Sequence, residues 1–266
     1  MKRRLTALSL CLSLSAVAAE PACQFESVPS GPQKLGRWID KGNWLSSENL
    51  RLTLPAANTF MPAQRLTPGK GGEALRPANR ILDLNAAKAI DPHDGRERDL
   101  AFLLDSRLGA DGLLVLQNGR ILGERYRNGL QPEDPRLLMQ ATRPLLNLLG
   151  AISIGQGKLV ADRALNRYLP ALSSQPGIRK QSVQRLLESE DGRAWRNEDL
   201  AGWQQAGGWV PNPATRGVRA WLAQPGRWEV PEANTAPVPF TGTPENDLLA
   251  WLLTESNGMP LSRLFC

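Results

Sequence analysis

The scarcity of histidine limits the chemistry open to this 266-residue chain, because it contains one histidine, His93. Any catalytic triad would have to include it, and a histidine metal site would have to draw on its neighbours Asp91 and Asp94. One imidazole and two carboxylates in a flexible loop make a weak metal site, so a solvated turn is the better interpretation of this stretch. The sequence therefore predicts neither a metal nor a cofactor.

Long apolar runs are missing beyond the N-terminus, since the stretch from Pro144 to Ile154 is too short to cross a bilayer. The N-terminus itself has three basic residues, an apolar run over 5–17 and small residues over 17–19. This order is typical of a secretory signal peptide. It predicts residues 1–19 as the signal and a periplasmic or secreted protein with no membrane span after cleavage. A retained N-terminal anchor is the alternative.

The chain also lacks a block of Lys and Arg with interleaved aromatic residues, which a nucleic-acid surface would need. Cleavage of the signal removes three of the 32 basic residues and leaves 29 against 26 acidic ones, so the net charge falls from +6 to +3. A charge this small gives little general attraction to polyanions. The sequence therefore predicts no nucleic-acid partner.

Cysteine is nearly as scarce, and two of the three cysteines lie at the ends of the exported chain. Cys11 belongs to the signal, which leaves Cys23 and Cys266 in an oxidising compartment. A disulfide between them would close a very long loop, worth roughly 5 kcal/mol in the chain-entropy model. The sequence predicts this disulfide, with two unrelated thiols as the alternative.

The pattern changes near residue 95. Residues 20–95 are rich in Pro, Gly and Asn and predict an irregular extension laid over a core. Leucines at helical spacing from Leu100 to Leu108 then predict an amphipathic helix that ends near Gly109. Two apolar stretches around Asn118-Gly119 predict a β-hairpin over 112–126.

A second helix should follow the hairpin, with Thr142 as its cap and Gly155 and Gly157 at its end. Pro144 is tolerated in the first turn, where its missing N–H would have had no helical partner. Apolar residues leave this helix hardly any polar face, which predicts that it is central and buried. They are Leu145, Leu146, Leu148, Leu149, Ile152 and Ile154.

The order of these elements resembles a known family: the β-lactamase-related serine hydrolases, which include class C β-lactamases, penicillin-binding peptidases and 6-aminohexanoate-dimer hydrolase-like proteins. The segments that carry the resemblance are the hairpin with its leading Asp111, Gly157-Lys158-Leu159 with Asp162 and Tyr168-Leu169-Pro170, the stretch 182–195, and the late helix 248–253 with 258–261. The resemblance implies a partial β-lactamase/transpeptidase-like α+β fold over residues 96–266. It consists of an antiparallel hairpin against a buried helix and a mostly helical lobe, with the family's C-terminal strands missing.

The catalytic positions depart from the family pattern. The family's nucleophile is the Ser of Ser-x-x-Lys at the start of the buried helix, and its Lys takes the hydroxyl proton. Counting back without gaps from Gly157 places Gln140 at the Ser position and Arg143 at the Lys position, with Met139 before them. A carboxamide is not a nucleophile, and a guanidinium does not act as a base at neutral pH.

The second and third family motifs are also changed. Tyr-x-Asn should fall at about Thr241 to Pro244, where Thr241 and Gly242 stand instead, and the Lys-Thr-Gly strand would lie beyond residue 266. The resemblance therefore implies a truncated, catalytically degenerate member with no catalytic residue.

Three functional interpretations follow. The favoured one is an exported pseudoenzyme that binds a cell-wall fragment, a peptide or a protein covering the incomplete sheet, with Arg143 holding an anionic group at the helix N-terminus. The second is an active amidase or esterase with an unrecognised nucleophile. One form of it uses Ser153, which lies in a stretch like a nucleophile elbow. The third is a structural interaction domain or a remnant without a ligand pocket.

Overall fold

The computed structural model describes residues 23–28, 38–68, 74–188, 195–211, 217–229 and 243–265, with backbone alone for 23–28 and 64–68. Its strands fall in the first half of the chain, and most of its helices in the second. The architecture is mixed α+β, as predicted.

The strands of the described residues form three small sheets. Strands β1 (Cys23–Val28) and β2 (Ala63–Pro68) are antiparallel, as are β4 (Lys88–Ile90) and β5 (Glu97–Asp99). The third sheet has the order β3-β7-β6, with β3 (Arg76–Pro77) parallel to β7 (Arg120–Tyr126) and β6 (Gly112–Gln117) antiparallel to it. The β4–β5 pair joins residues on both sides of the predicted domain boundary at 95/96.

The helices are short, apart from α3, α6 and α8. Their bounds are α1 (Leu50–Thr53), α2 (Leu100–Phe102), α3 (Thr142–Gly155), α4 (Pro176–Lys180), α5 (Val183–Glu188), α6 (Asn197–Ala206), α7 (Val218–Leu222), α8 (Pro244–Asn257) and α9 (Leu261–Leu264). No helix in the described ranges is both long enough and apolar enough to cross a membrane.

The first predicted helix is confirmed. Asp99 caps α2 by accepting a hydrogen bond from the Phe102 amide at 2.7 Å. The helix continues as a π-helical stretch over Leu103–Leu108 and ends at Gly109, whose φ of 59° is left-handed. A residue without a Cβ is suited to this C-terminal position, as predicted.

The hairpin is also confirmed, with the predicted strands. Asn118 and Gly119 have φ values of 50° and 71°, the positive pair that a two-residue turn of this kind requires. A register shift between Val115 and Leu116 interrupts the ladder. Because β7 pairs with β3 on its other side, β6 lies at the edge of the sheet in the described part of the chain.

The main core lies in the helical lobe, where α3 packs chiefly against α8 and α5. Leu146, Leu149 and Gly150 of α3 are buried there. Three tryptophans are buried in the same lobe, so they have packing roles: Trp203, Trp221 and Trp228. The remaining fully buried members include Leu165, Leu172, Ile178, Leu222, Leu248, Leu249, Leu252 and Leu253.

The prediction that α3 is buried on all sides was wrong. Leu145, Leu148 and Ile152 are 36%, 58% and 45% exposed. They occur at positions i, i+3 and i+7, so they form one stripe along the helix. Within the described residues, no other element covers this stripe.

Thr142 is not the helix cap that the sequence predicted. A 3-10 turn over Met139–Ala141 precedes α3, Ala141 occupies the cap position, and no side chain bonds the first turn. The chain is already helical when it reaches Thr142, so its hydroxyl is not placed to accept from the next turn.

The N-terminal extension is anchored on the helical lobe through Trp44. Its side chain is fully buried and stacks on Phe60 and Trp209, with ring centroids 5.0 and 6.0 Å apart. The Trp44 indole N–H donates to the Trp209 carbonyl at 2.7 Å. The segment around Trp44 therefore contacts the helical lobe.

Candidate functional site

The segment that enters α3 is held on both sides before it reaches the candidate nucleophile position. Arg136 donates to the buried carboxylate of Asp111 at 2.7 Å, and the Leu137 amide donates to the Leu54 carbonyl at 3.0 Å. The next turn contains Met139, which is buried and has a φ of 51°. A left-handed φ in a bulky residue costs on the order of 1–3 kcal/mol and persists only where its surroundings enforce it.

Gln140 follows this strained residue and is half-buried. Within the described residues, the carboxamide of Gln140 forms no hydrogen bond. Gln140 is the residue that the sequence register assigns to the nucleophile position, and its carboxamide has no atom that could attack a carbonyl carbon.

Arg143 lies one turn further along and links three helices. One terminal nitrogen of its guanidinium donates to Asn246 Oδ1 of α8 at 3.0 Å. The other donates to the carbonyl of Leu186 in α5. Because a guanidinium keeps its proton at neutral pH, these bonds hold a fixed positive charge at the start of α3.

The start of α8 completes the surroundings of Arg143. Pro244 occupies the first helical turn, and the acidic residues Glu245 and Asp247 flank Asn246 there. Acidic side chains are favourable at this end because they face the positive end of the helix dipole. The predicted positions Thr241 and Gly242 lie just before α8 and outside the described residues.

Both acids are bound by tryptophans of the helical lobe, a pairing that the sequence analysis missed. Trp195 Nε1 donates to the two carboxylate oxygens of buried Glu245 at 2.8 and 2.9 Å. Trp203 Nε1 donates to Asp247 Oδ2 at 2.6 Å. Burial raises the pKa of Asp247, and this single hydrogen bond only partly opposes the rise. The sequence did offer a signal for this end of the helix. Glu245 and Asp247 stand in the first turn after Pro244, which is a typical first residue of a helix.

The region around His93 is a turn held by arginines. The His93 amide donates to Asp91 at 2.9 Å, and that bond, with the contact from Arg107 at 2.6 Å, holds the pKa of Asp91 below its ordinary value despite burial. Asp94 is paired with Arg98 at 2.7 Å. No group of three His, Cys, Asp or Glu suited to a metal occurs among the described residues.

Ser153 is buried inside α3 and is not placed as a nucleophile. Its hydroxyl donates to the Leu149 carbonyl at 2.8 Å and accepts from the Asn257 side chain at 3.0 Å. The predicted disulfide partner Cys266 lies outside the described residues, so the Cys23–Cys266 bridge stays a prediction.

Comparison with known proteins finds a sequence relative and several structural relatives. No family model matches the chain. A 6-aminohexanoate-dimer hydrolase from Paenarthrobacter ureafaciens is 32% identical over 63 residues, which are 24% of this chain and 16% of that protein. A solved structure from Bacillus anthracis, provisionally named a 6-aminohexanoate-dimer hydrolase, matches with a TM-score of 0.61 at 16% identity. The match covers 87% of this chain and 61% of that one.

The structural match shows a partial 6-aminohexanoate-dimer hydrolase-like fold. It supports the predicted β-lactamase-like fold at this level, and the short sequence match supports the resemblance to 6-aminohexanoate-dimer hydrolases. The chain spans less than two thirds of the length of either relative.

Proposed function

We propose that this chain is a β-lactamase-related protein without hydrolytic activity, a pseudoenzyme that binds a partner. The observation that carries the proposal is the state of Arg143. Its guanidinium is bonded to the Leu186 carbonyl and the Asn246 side chain, so it ties α3 to α5 and α8. A group fixed in this way stabilises the scaffold and cannot remove a proton from a hydroxyl.

The carboxamide at Gln140 supports the same proposal. Where such catalytic sets have been dissected, loss of the nucleophile alone lowers the turnover rate by on the order of a million-fold. Hydrolysis by another side chain is the alternative function. Assays with a panel of amide and ester substrates separate the two, since sustained turnover by purified protein would favour the alternative.

Reversion of Gln140 and Arg143 to the family residues tests whether these two substitutions alone account for the absence of catalytic activity. We expect Gln140→Ser with Arg143→Lys to restore little or no activity. A lysine cannot donate to Leu186 and Asn246 in the fork geometry of arginine. The Tyr-x-Asn position is also substituted. Strong activity in the double variant would mean that the remaining site is complete.

The binding partner that we propose is a protein that covers the edge of the hairpin sheet and the apolar stripe of α3. Leu114 and Leu116 of β6 are 48% and 47% exposed. The strand itself contains no charged residue. Edge strands that do not pair are normally protected by charge, so an apolar edge marks an interaction surface. A cell-wall peptide is a smaller occupant of the same surface.

Charged substitutions test the partner proposal. Leu114→Lys and Leu148→Glu should each weaken a co-purified complex while leaving the far-UV circular dichroism spectrum unchanged. Leu108→Lys is the matched control, because Leu108 is 72% exposed on another element. Equal loss of the complex in the control would refute an interface on β6 and α3.

Arg143 has a second proposed role, as the residue that holds an anionic ligand group against the N-terminus of α3. Its contacts with Leu186 and Asn246 favour the structural role. If Arg143→Ala binds every ligand found with unchanged affinity, the ligand-binding role is refuted and only the structural role remains.

We also propose that the protein is exported, with cleavage after Ala19 and a disulfide between Cys23 and Cys266. N-terminal sequencing of protein recovered from the periplasm tests the first point, and an intact Met1 would refute it. Thiol counting on denatured, unreduced protein tests the second, and two titratable thiols would refute the bridge.

A further inference from the structure

A basic surface lies on the helical lobe, in the segment from residue 163 to residue 185. This segment contains five basic residues and no acidic residue, whereas the whole chain has a net charge of +6. All five basic residues are exposed. They are Arg163, Arg167, Arg179, Lys180 and Arg185. Most of the excess positive charge of the chain therefore lies in this one segment.

The fold brings the two ends of this segment together. Ala164 and Ser182 form an antiparallel bridge. The 3-10 turn over Leu165–Arg167 packs against α4, whose last turn contains Arg179 and Lys180. The cations of the basic surface therefore come from two stretches of chain that lie side by side.

Structural roles account for only part of this charge. Arg179 and Lys180 stabilise the last turn of α4, where positive charge faces the negative end of the helix dipole. Arg163 lies over the ring of Tyr168, with its guanidinium carbon 6.0 Å from the ring centroid. None of the ion pairs formed within the described residues includes a member of the basic surface. The arrangement thus leaves exposed cations that can meet an anionic partner.

The composition of the surface favours carboxylates as that partner. Four of its five residues are arginines, whose guanidiniums bind carboxylate oxygens through paired N–H donors. A single-stranded nucleic acid would need aromatic rings for its bases, but the Tyr168 ring lies under Arg163 and its hydroxyl accepts from the Val160 amide at 2.9 Å. A membrane surface would need apolar side chains to insert, and Val160 is the one large apolar side chain exposed over residues 156–188.

We propose that the basic surface binds an acidic segment of a protein partner, a peptide run with several Asp or Glu side chains. Each exposed ion pair contributes little, so several carboxylates must bind together and the affinity must fall with salt. None of the five residues belongs to β6 or α3. The proposal is therefore independent of the partner surface on those elements and of the loss of hydrolysis.

The test is a fluorescence anisotropy titration of the full chain with a labelled hexaglutamate peptide. A labelled oligothymidylate and vesicles of phosphatidylglycerol are the comparison ligands. We expect saturable binding of hexaglutamate that weakens as sodium chloride is raised, and weaker binding of the other two anions. Tighter binding of the oligothymidylate or of the vesicles would overturn the choice of an acidic peptide.

The double variant Arg167→Gln/Arg179→Gln should weaken hexaglutamate binding by about fivefold at an ionic strength of about 0.1 M, since two exposed ion pairs are lost. Arg167→Lys/Arg179→Lys keeps both charges and should retain most of the affinity. The control Arg80→Gln/Arg263→Gln removes the same net charge from exposed positions outside the segment, and it should bind within about twofold of the parent. Far-UV circular dichroism checks the fold of each variant, and Arg167→Gln alone replaces the double variant if that variant does not fold.

Three further results would overturn the proposal. They are absence of saturable hexaglutamate binding in the parent protein, unchanged binding in the glutamine variants of the basic surface, and an equal loss in the control, which would show attraction by net charge only.

Discussion

Replacement of Asp111 should destabilise the fold more than replacement of any exposed acid, because its carboxylate joins three parts of the chain. Its side chain is 3% exposed and contacts Arg51 Nε at 2.9 Å and Arg136 at 2.7 Å. The side-chain amide of Asn128 also donates to Asp111 Oδ1 at 2.8 Å. Arg51 belongs to the N-terminal extension, and Arg136 precedes the strained turn at Met139.

The size of the expected destabilisation follows from the burial of the Asp111 carboxylate. Removing one partner of a buried ion pair costs about 3–5 kcal/mol. The two arginine side chains are 48% and 31% exposed, so water compensates them partly after the loss. We therefore expect Asp111→Ala to lower the free energy of unfolding by about 2–3 kcal/mol. Asp111→Asn, which keeps one acceptor, should lower it by about half as much.

The contribution of Asp111 to the free energy of unfolding should depend on pH. Burial opposes ionisation of Asp111, but the hydrogen bonds from Asn128 and Arg136 and the charges of Arg51 and Arg136 outweigh it and lower its pKa. A lowered folded-state pKa contributes stability above the ordinary value of about 3.8, and that stability is lost as the pH falls through the folded value. The difference between the parent protein and Asp111→Asn should therefore shrink in acid.

Urea unfolding at pH 7 and at pH values down to 3 measures these differences. Hydrogen exchange of the Leu137 amide reports whether the segment before Met139 loosens. Glu133→Ala removes an exposed acid from the same part of the chain and should change stability by less than about 0.5 kcal/mol. Equal losses for Asp111→Ala and Glu133→Ala would refute the reasoning.

Two further substitutions test the packing and electrostatics of the helical lobe. Gly150→Ala should destabilise by about 1 kcal/mol, since the added methyl group would overlap Leu187 and the packing cost exceeds the gain in helix propensity. Gly155→Ala on the same helix meets nothing within 4 Å and should be neutral or stabilising, so equal effects in urea unfolding would refute the close α3–α5 contact. Asp247→Asn should raise the thermal midpoint at pH 7, because burial raises the pKa of Asp247 and its ionisation then costs stability. The gain in thermal midpoint should vanish as the pH falls towards the ordinary pKa of aspartate. The asparagine can still accept the Trp203 hydrogen bond. A lower midpoint for Asp247→Asn at pH 7 would contradict the prediction.

Local patterns predicted the local structure well. The hairpin followed from Asn118-Gly119 between apolar strands, since a two-residue turn needs two positive φ values. The helix before it followed from leucine spacing and Gly109. These elements depend on residues close together in the sequence, which one sequence displays directly.

Contacts between distant residues could not be predicted in this way. Arg143 bonds to residues 43 and 103 positions away, and Trp44 bonds to the Trp209 carbonyl 165 positions away. The exposed stripe with Leu148 at its centre was missed because composition shows that a helix is apolar but not which of its faces has a neighbour. The Glu245 and Asp247 partners were missed because their tryptophans lie 50 and 44 positions earlier in the chain.

The central claim, that the protein is not an acylating hydrolase, is tested most directly by intact mass after incubation with penicillin. Gln140 offers no nucleophile and Arg143 no base, so the mass of the denatured protein should equal that of an untreated sample. The acyl group of a β-lactam would remain on a serine through denaturation. A mass increase equal to one penicillin that survives denaturation would contradict the account.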